Sequence, residues 1–196
     1  MPVLRTCLLL LFVSTLSARA SASDAETCSF STDWGEREAA CTRLIESGSV
    51  TGDNLSSALT NRCKARLSEL RYDSALQDCN EAIGTTGTNW QAFDIRAVIY
   101  LGLGRYPAAL DDLDRAERLN ADWPARARAR ADTLCSMKRA DEAMLQYRRA
   151  IQRGAFDAVG WQTFLSEAGF YSGEIDGVFG QGSMRALQSW VAATCR

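Results

Sequence analysis

Alanines recur in this chain at an interval of 34 residues in two registers at once: Ala75, Ala109 and Ala143, then Ala82, Ala116 and Ala150. Tyr72 and Tyr106 keep the same interval. The text around them is matched as well: RYDSALQDCNEAI, RYPAALDDLDRAE and RADEAMLQYRRAI. Agreement at one period makes an internal repeat. A repeat constrains architecture strongly, because each unit must bury one face against the next.

The unit maps onto two helices. Ahead of each alanine pair lies a second helical pattern: Leu59, Cys63 and Leu67, then Phe93, Ala97, Tyr100 and Leu101, then Ala127, Ala131 and Leu134. Each set falls on one helix face. Gly102 and Gly104 mark where one helix ends before Arg105 and Tyr106 open the next. The small side chains of Ala75, Ala109 and Ala143 let two helices approach closely.

These residues resemble the tetratricopeptide repeat family. That family's pattern carries a small residue in its first helix (Cys63, Ala97 and Ala131 here), then an aromatic (Tyr100, in the middle unit), then the two alanines of the second helix. The resemblance covers roughly residues 55–154. Cys41 lies 34 before Ala75, inside REAACTRLIESG, so residues 34–48 read as a lone second helix, a degenerate or capping unit. The resemblance implies a concave surface, built from the first helix of each unit, that takes an extended peptide or a helix. Carried over, its positions are Ser57, Thr60 and Lys64, then Gln91, Asp94 and Val98, then Arg128 and Asp132. That surface is mixed in charge and has no concentrated basic clamp for a terminal carboxylate.

After Gly154 the pattern changes. Trp161, Phe164, Leu165 and Ala168 share a helix face that Gly169 ends. Phe170 to Gly173 and Ile175 to Gly177 read as turns, with Ser183 placed as an N-cap for a last helix through Met184, Leu187, Trp190 and Val191. This segment is similar to the peptidoglycan-binding-like domain, on Gln162, Leu165, Gly169, Tyr171, Gly173, Asp176, Gly177, Phe179, Gly180 and Ala186 in order. The resemblance implies a small three-helix module. If that module holds cell wall, the contacts fall at Tyr171, Asp176, Gln181 and Ser183. The turn also has a structural explanation, since its glycines permit tight turns and Asp176 can bond nearby amides.

The chain opens like a secretory signal peptide, with Arg5, an apolar core from Leu8 to Val13, and small-x-small cleavage sites ending at Ala20 and Ala22. That core is too short to span a bilayer. The domain expectation is therefore a leader over 1–22, an N-terminal segment over 23–54, repeats over 55–154 and a small module over 155–196. Removal of the leader takes two arginines and no acid, leaving 20 bases against 24 acids. That is no basic field for nucleic acid. The expected location is the periplasm.

Six cysteines remain after the leader: Cys28, Cys41, Cys63, Cys79, Cys135 and Cys195. In an exported chain an even number suggests disulfides, and six allow fifteen pairings. In the repeat frame Cys63 and Cys79 sit on facing helices, Cys28–Cys41 would tie down the N-terminal segment, and Cys135–Cys195 is then left. The alternative is that some are free, buried thiols.

Nothing reads as catalytic. The chain has no histidine, so Ser-His-Asp and Cys-His arrangements are impossible, and no CxxC pair suggests a metal. Asp111, Asp112, Asp114, Asp141 and Glu142 fall on expected exposed helix faces, where solvation explains them. Arg126, Arg128 and Arg130 alternate along a helix, as a solvated face or a patch for an acidic partner. The fold class expected is all-α, a helix-pair solenoid followed by the small module. The function expected is a non-catalytic adaptor with no cofactor or metal, a protein partner on the repeats and peptidoglycan on the module. The alternative is a repeat scaffold whose C-terminal module only caps the array.

Overall fold

The computed structural model describes residues 22–123, 125–154 and 157–195. Residues 1–21 of the expected leader lie outside them. Ten α-helices and no strands make up the described residues: α1 (Ala22–Phe30), α2 (Trp34–Glu46), α3 (Gly52–Ser68), α4 (Tyr72–Thr85), α5 (Trp90–Gly102), α6 (Tyr106–Leu119), α7 (Ala125–Ser136), α8 (Ala140–Gln152), α9 (Ala158–Glu167) and α10 (Gln181–Thr194). No helix among these residues is long and apolar enough to cross a membrane.

The 34-residue interval governs the backbone as well as the side chains. Helices α4, α6 and α8 begin at positions 72, 106 and 140. The turn before each carries a left-handed residue at the same register: Leu70 (φ 58°), Gly104 (φ 70°) and Lys138 (φ 62°). Each turn closes with the same wrapped bond, Arg71 N–H to the Arg66 carbonyl, Arg105 to Tyr100 and Arg139 to Leu134. These satisfy carbonyls that a helix end leaves without partners. Glycine suits that conformation, and Leu70 and Lys138 adopt it at the equivalent position of their units.

Consecutive helices pack as hairpins, α3 on α4, α5 on α6 and α7 on α8, and successive hairpins touch through α4–α5 and α6–α7. All six alanines of the two series are fully buried, so no larger side chain separates the helices there. Tyr72 lies across Gly102, where an added Cβ would meet the phenol oxygen at 2.9 Å, so a larger residue there would push the tyrosine ring aside.

Two buried ion pairs follow the same period. Arg62 grips Asp78 through Nε (3.0 Å) and Nη2 (2.8 Å), and Arg66 adds a contact at 2.9 Å. Arg96 grips Asp112 in the same way, at 2.7 and 2.8 Å. Asp112 is thus not on a solvated face, as the pattern suggested. It is buried on the inner side of its hairpin, where only a fork of charged hydrogen bonds makes a carboxylate tolerable. Asp111, Asp114, Asp141 and Glu142 are exposed as expected.

The N-terminal segment differs from the expected lone helix. Helix α1 packs against α2, and the Cys28–Cys41 disulfide joins them. All six cysteines of the described residues are bridged: Cys28–Cys41 (Cα–Cα 4.8 Å), Cys63–Cys79 (5.6 Å) and Cys135–Cys195 (4.5 Å). Such bonds persist in oxidising compartments.

Residues 157–195 carry two helices, α9 and α10, rather than three. A single helix, α9, starts at Ala158 and runs through Trp161 to Glu167. The stretch between Gly169 and Gly180 is irregular because glycines interrupt it and its backbone bonds go elsewhere. This segment has no core of its own. Trp161, Leu165, Leu187, Val191 and Cys195 are buried together with Ala131, Leu134, Ala143 and Tyr147 of the last hairpin. Tyr147, Trp161, Phe164 and Trp190 form an edge-to-face aromatic cluster across that junction, with centroids 5.4 to 6.1 Å apart.

Candidate functional site

The first helices of successive hairpins, α3, α5 and α7, lie side by side, and their free faces form a groove of ≈ 650 Å³. The positions expected on α3 and α5 all line it: Ser57, Thr60, Lys64, Gln91, Asp94 and Val98. Leu67, Ile95 and Val98 give it an apolar floor, and Trp90 and Trp123 stand together at one side, ring centroids 5.0 Å apart. Sequence reasoning did not single out this tryptophan pair. Trp123 precedes α7, outside the helical periods of the repeat.

Polar groups in the groove are largely committed. The Asn89 amide donates to Ser56 Oγ (2.8 Å) and Thr60 Oγ1 (2.9 Å), and its oxygen caps α5 at Ala92. Asp94 is held at both oxygens by Arg126, at 2.8 Å each, and Arg126 is 4% exposed. Arg126 is therefore neither a solvated residue nor part of a free patch. It is a clamp between the second and third hairpins, and its guanidinium also lies over Trp90 at 5.8 Å. Lys64 is exposed, makes no ion pair among the described residues, and lies 5.8 Å from the Trp34 ring.

Arg128 and Asp132 fall outside this groove. They line a neighbouring recess of ≈ 340 Å³ with Asp157, Trp161 and Phe164, because α9 packs over the end of α7 and divides the surface there. Arg128 covers the Trp161 ring at 5.2 Å and stays partly exposed. Asp132 accepts the Tyr147 hydroxyl at 2.7 Å, and burial raises its carboxyl above the ordinary aspartate range. Burial likewise raises the Tyr147 phenol, with the facing Asp132 carboxylate adding to the effect.

Three of the four peptidoglycan candidates converge on one buried side chain, Gln162. Its amide nitrogen reaches Asp176 Oδ1 (2.8 Å), the Val178 carbonyl (3.1 Å) and Ser183 Oγ (3.2 Å), with Tyr171 Oη at 3.4 Å; its oxygen accepts Gly177 N–H at 2.9 Å. Asp176 also accepts Val178 N–H at 2.9 Å. The Gln162 amide and that N–H hold the Asp176 carboxyl below its ordinary range. Tyr171 donates to the Glu174 carbonyl at 2.8 Å and lies against Gly173. Ser183 is not the N-cap; Gly180 takes that place, and Ser183 is buried in the first turn of α10, where Gln162 donates to it. Gln181 opens α10 and is exposed.

Gln162 thus pins the turn onto α9. Gln162→Ala is expected to cost about 2 kcal/mol, because it opens a cavity at a fully buried site, leaves buried Ser183 without its donor and releases the turn from α9. Urea unfolding checks this, and limited proteolysis should then cut first between positions 170 and 180. An unchanged cleavage pattern would place the restraint elsewhere.

No protein-family model matches this chain, and no curated protein matches it in sequence.

Proposed function

We propose that this protein is an exported, non-catalytic adaptor of the tetratricopeptide type, held in the periplasm, whose groove on α3, α5 and α7 takes an extended peptide from a protein partner. The observation that carries this reading is the groove itself. Six positions expected on a peptide-binding face line one concave surface with an apolar floor and a tryptophan pair. Apolar pockets with few, fixed polar groups are where ligands are held in general. Apart from Lys64, the charges in the groove are the internally neutralised Asp94–Arg126 pair, so apolar and aromatic side chains are the favoured cargo.

Selection of random dodecapeptides on the immobilised, oxidised protein tests the reading. Enriched peptides are expected to carry aromatic or aliphatic anchors. Val98 is exposed at the floor, and Val98→Asp is expected to weaken their binding about tenfold or more, some 1.4 kcal/mol. If no enriched peptide is released by that substitution, the groove is not the binding surface.

For the C-terminal segment, the shared core with α7 and α8 favours the capping role, since arrays need their last apolar face covered. A second reading keeps peptidoglycan binding at Tyr171, Asp176, Gln181 and Ser183. The exposure of Asp176 and Gln181 favours it. Co-sedimentation of the full chain with insoluble peptidoglycan, lost in Gln181→Ala/Asp176→Asn, would support it. Full-length protein that stays in the supernatant would leave the cap alone.

A further inference from the structure

The repeat breaks its own ion-pair rule once, and the break creates a basic recess. Arg62 and Arg96 each find an aspartate sixteen residues later, Asp78 and Asp112. The corresponding arginine of the third hairpin is Arg130, but its partner position holds Gln146. Arg130 is left with single contacts from Nη2 to Asp114 (2.6 Å) and Glu117 (3.1 Å), two acids that are half exposed. Its Nε and Nη1 have no hydrogen-bond acceptor among the described residues, unlike the forked grips of Arg62 and Arg96.

Around that arginine lies a recess of ≈ 410 Å³. Arg126, Arg130, Arg149 and Arg153 line it, together with Gln146, Gln152 and the single carboxylate of Glu117. Arg126 is spent on Asp94. Arg149 and Arg153 form no ion pair among the described residues, and stand one turn apart at the end of α8. Three guanidiniums with donors to spare thus share one recess on a chain whose overall charge is −2. Like charges so gathered repel one another unless an anion sits among them.

We propose that this recess binds a phosphate group. A carboxylate fills one guanidinium fork, whereas a phosphate offers more oxygens, with about one negative charge as a diester and nearly two as a monoester or free ion, enough to engage forks from both α7 and α8. The amides of Gln146 and Gln152 are further donors at the same wall. The phosphate can come from a soluble phosphate or from a lipid headgroup. Trp123 and Arg126 line both this recess and the peptide groove, so a bound phosphate would stand directly behind the wall of the groove.

Titration calorimetry of the oxidised full-length protein with inorganic phosphate and with pyrophosphate, in low-salt buffer, tests the proposal. Flotation with phosphatidylglycerol vesicles, against phosphatidylcholine alone, forms the second arm. Binding is expected to weaken about tenfold in Arg149→Gln/Arg153→Gln and as much in Gln146→Asp, which restores the missing acid and recaptures Arg130. It should also weaken with added salt. Both variants alter surface or recess positions, and circular dichroism confirms that each keeps its helix. Binding of soluble phosphate alone, or of the anionic vesicles alone, each with loss in both variants, supports the proposal and identifies the source. No binding in either arm, or binding that both variants leave unchanged, overturns it.

Discussion

Asp78→Ala is expected to lower the folding free energy by about 3–5 kcal/mol, the usual loss when one partner of a buried ion pair is removed. Asp78 is almost wholly buried and receives both Arg62 and Arg66, whose side chains are 12% and 17% exposed. Alanine leaves two guanidiniums in a poorly solvated site, with Glu38 as the remaining acid on Arg66. Most of the loss is this stranded charge and not the worth of the pair. The double replacement Arg62→Met/Asp78→Leu is therefore expected to lose much less than the single change. Asp114→Ala, on an exposed carboxylate, is expected to stay within about 0.5 kcal/mol. Urea unfolding under oxidising conditions reads all three as shifts of midpoint. A loss under about 1 kcal/mol in Asp78→Ala would mean that water reaches the site and that the ladder is not structural.

The second large effect is expected from Cys135→Ala/Cys195→Ala, at about 4 kcal/mol on a chain-entropy account. This disulfide closes a separation of 60 residues, against 13 and 16 for the other two. Longer closed loops restrict the unfolded chain more, so the same double replacement at Cys28/Cys41 or Cys63/Cys79 is expected to cost less. The bond also returns the end of α10 to the last hairpin, where Trp161, Leu165 and Leu187 complete the buried cluster. The three double variants compared by thermal unfolding check the order. Equal losses in all three would show that packing, and not the length of the closed loop, sets the contribution. The shared core also explains why cutting the chain after Gly154 is a poor way to isolate a function. It would strip Tyr147 and Leu134 of their cover and leave Cys135 without its partner.

Much of the architecture was legible because it is local and periodic. Helix pairs, their alanine contacts and the turn at Gly104 follow from spacing that each unit repeats, and a helix face declares itself within a dozen residues. The ion-pair ladder was equally present, as arginines and aspartates 34 apart, but charges on a helix pattern look alike whether they face water or a partner helix. Only packing decided that Asp112 and Arg126 are buried while Asp114 and Arg128 are not. The groove was half legible. Its α3 and α5 positions share one register, whereas α9 lies over the end of α7 and removes Arg128 and Asp132 from it. Trp123, on the connection before α7, obeys no period and reaches Trp90 only in the folded chain. At the C-terminus the sequence showed which residues belong to the turn but not what they face. Tyr171, Asp176 and Ser183 are exchanged among internal hydrogen bonds by one glutamine, and no linear pattern states that a side chain fourteen residues upstream of Asp176 will be its donor. Sequence by itself thus determined what is repeated along the chain. The tertiary structure decided what is shared between distant segments, because a partner brought near only by folding leaves no period to read.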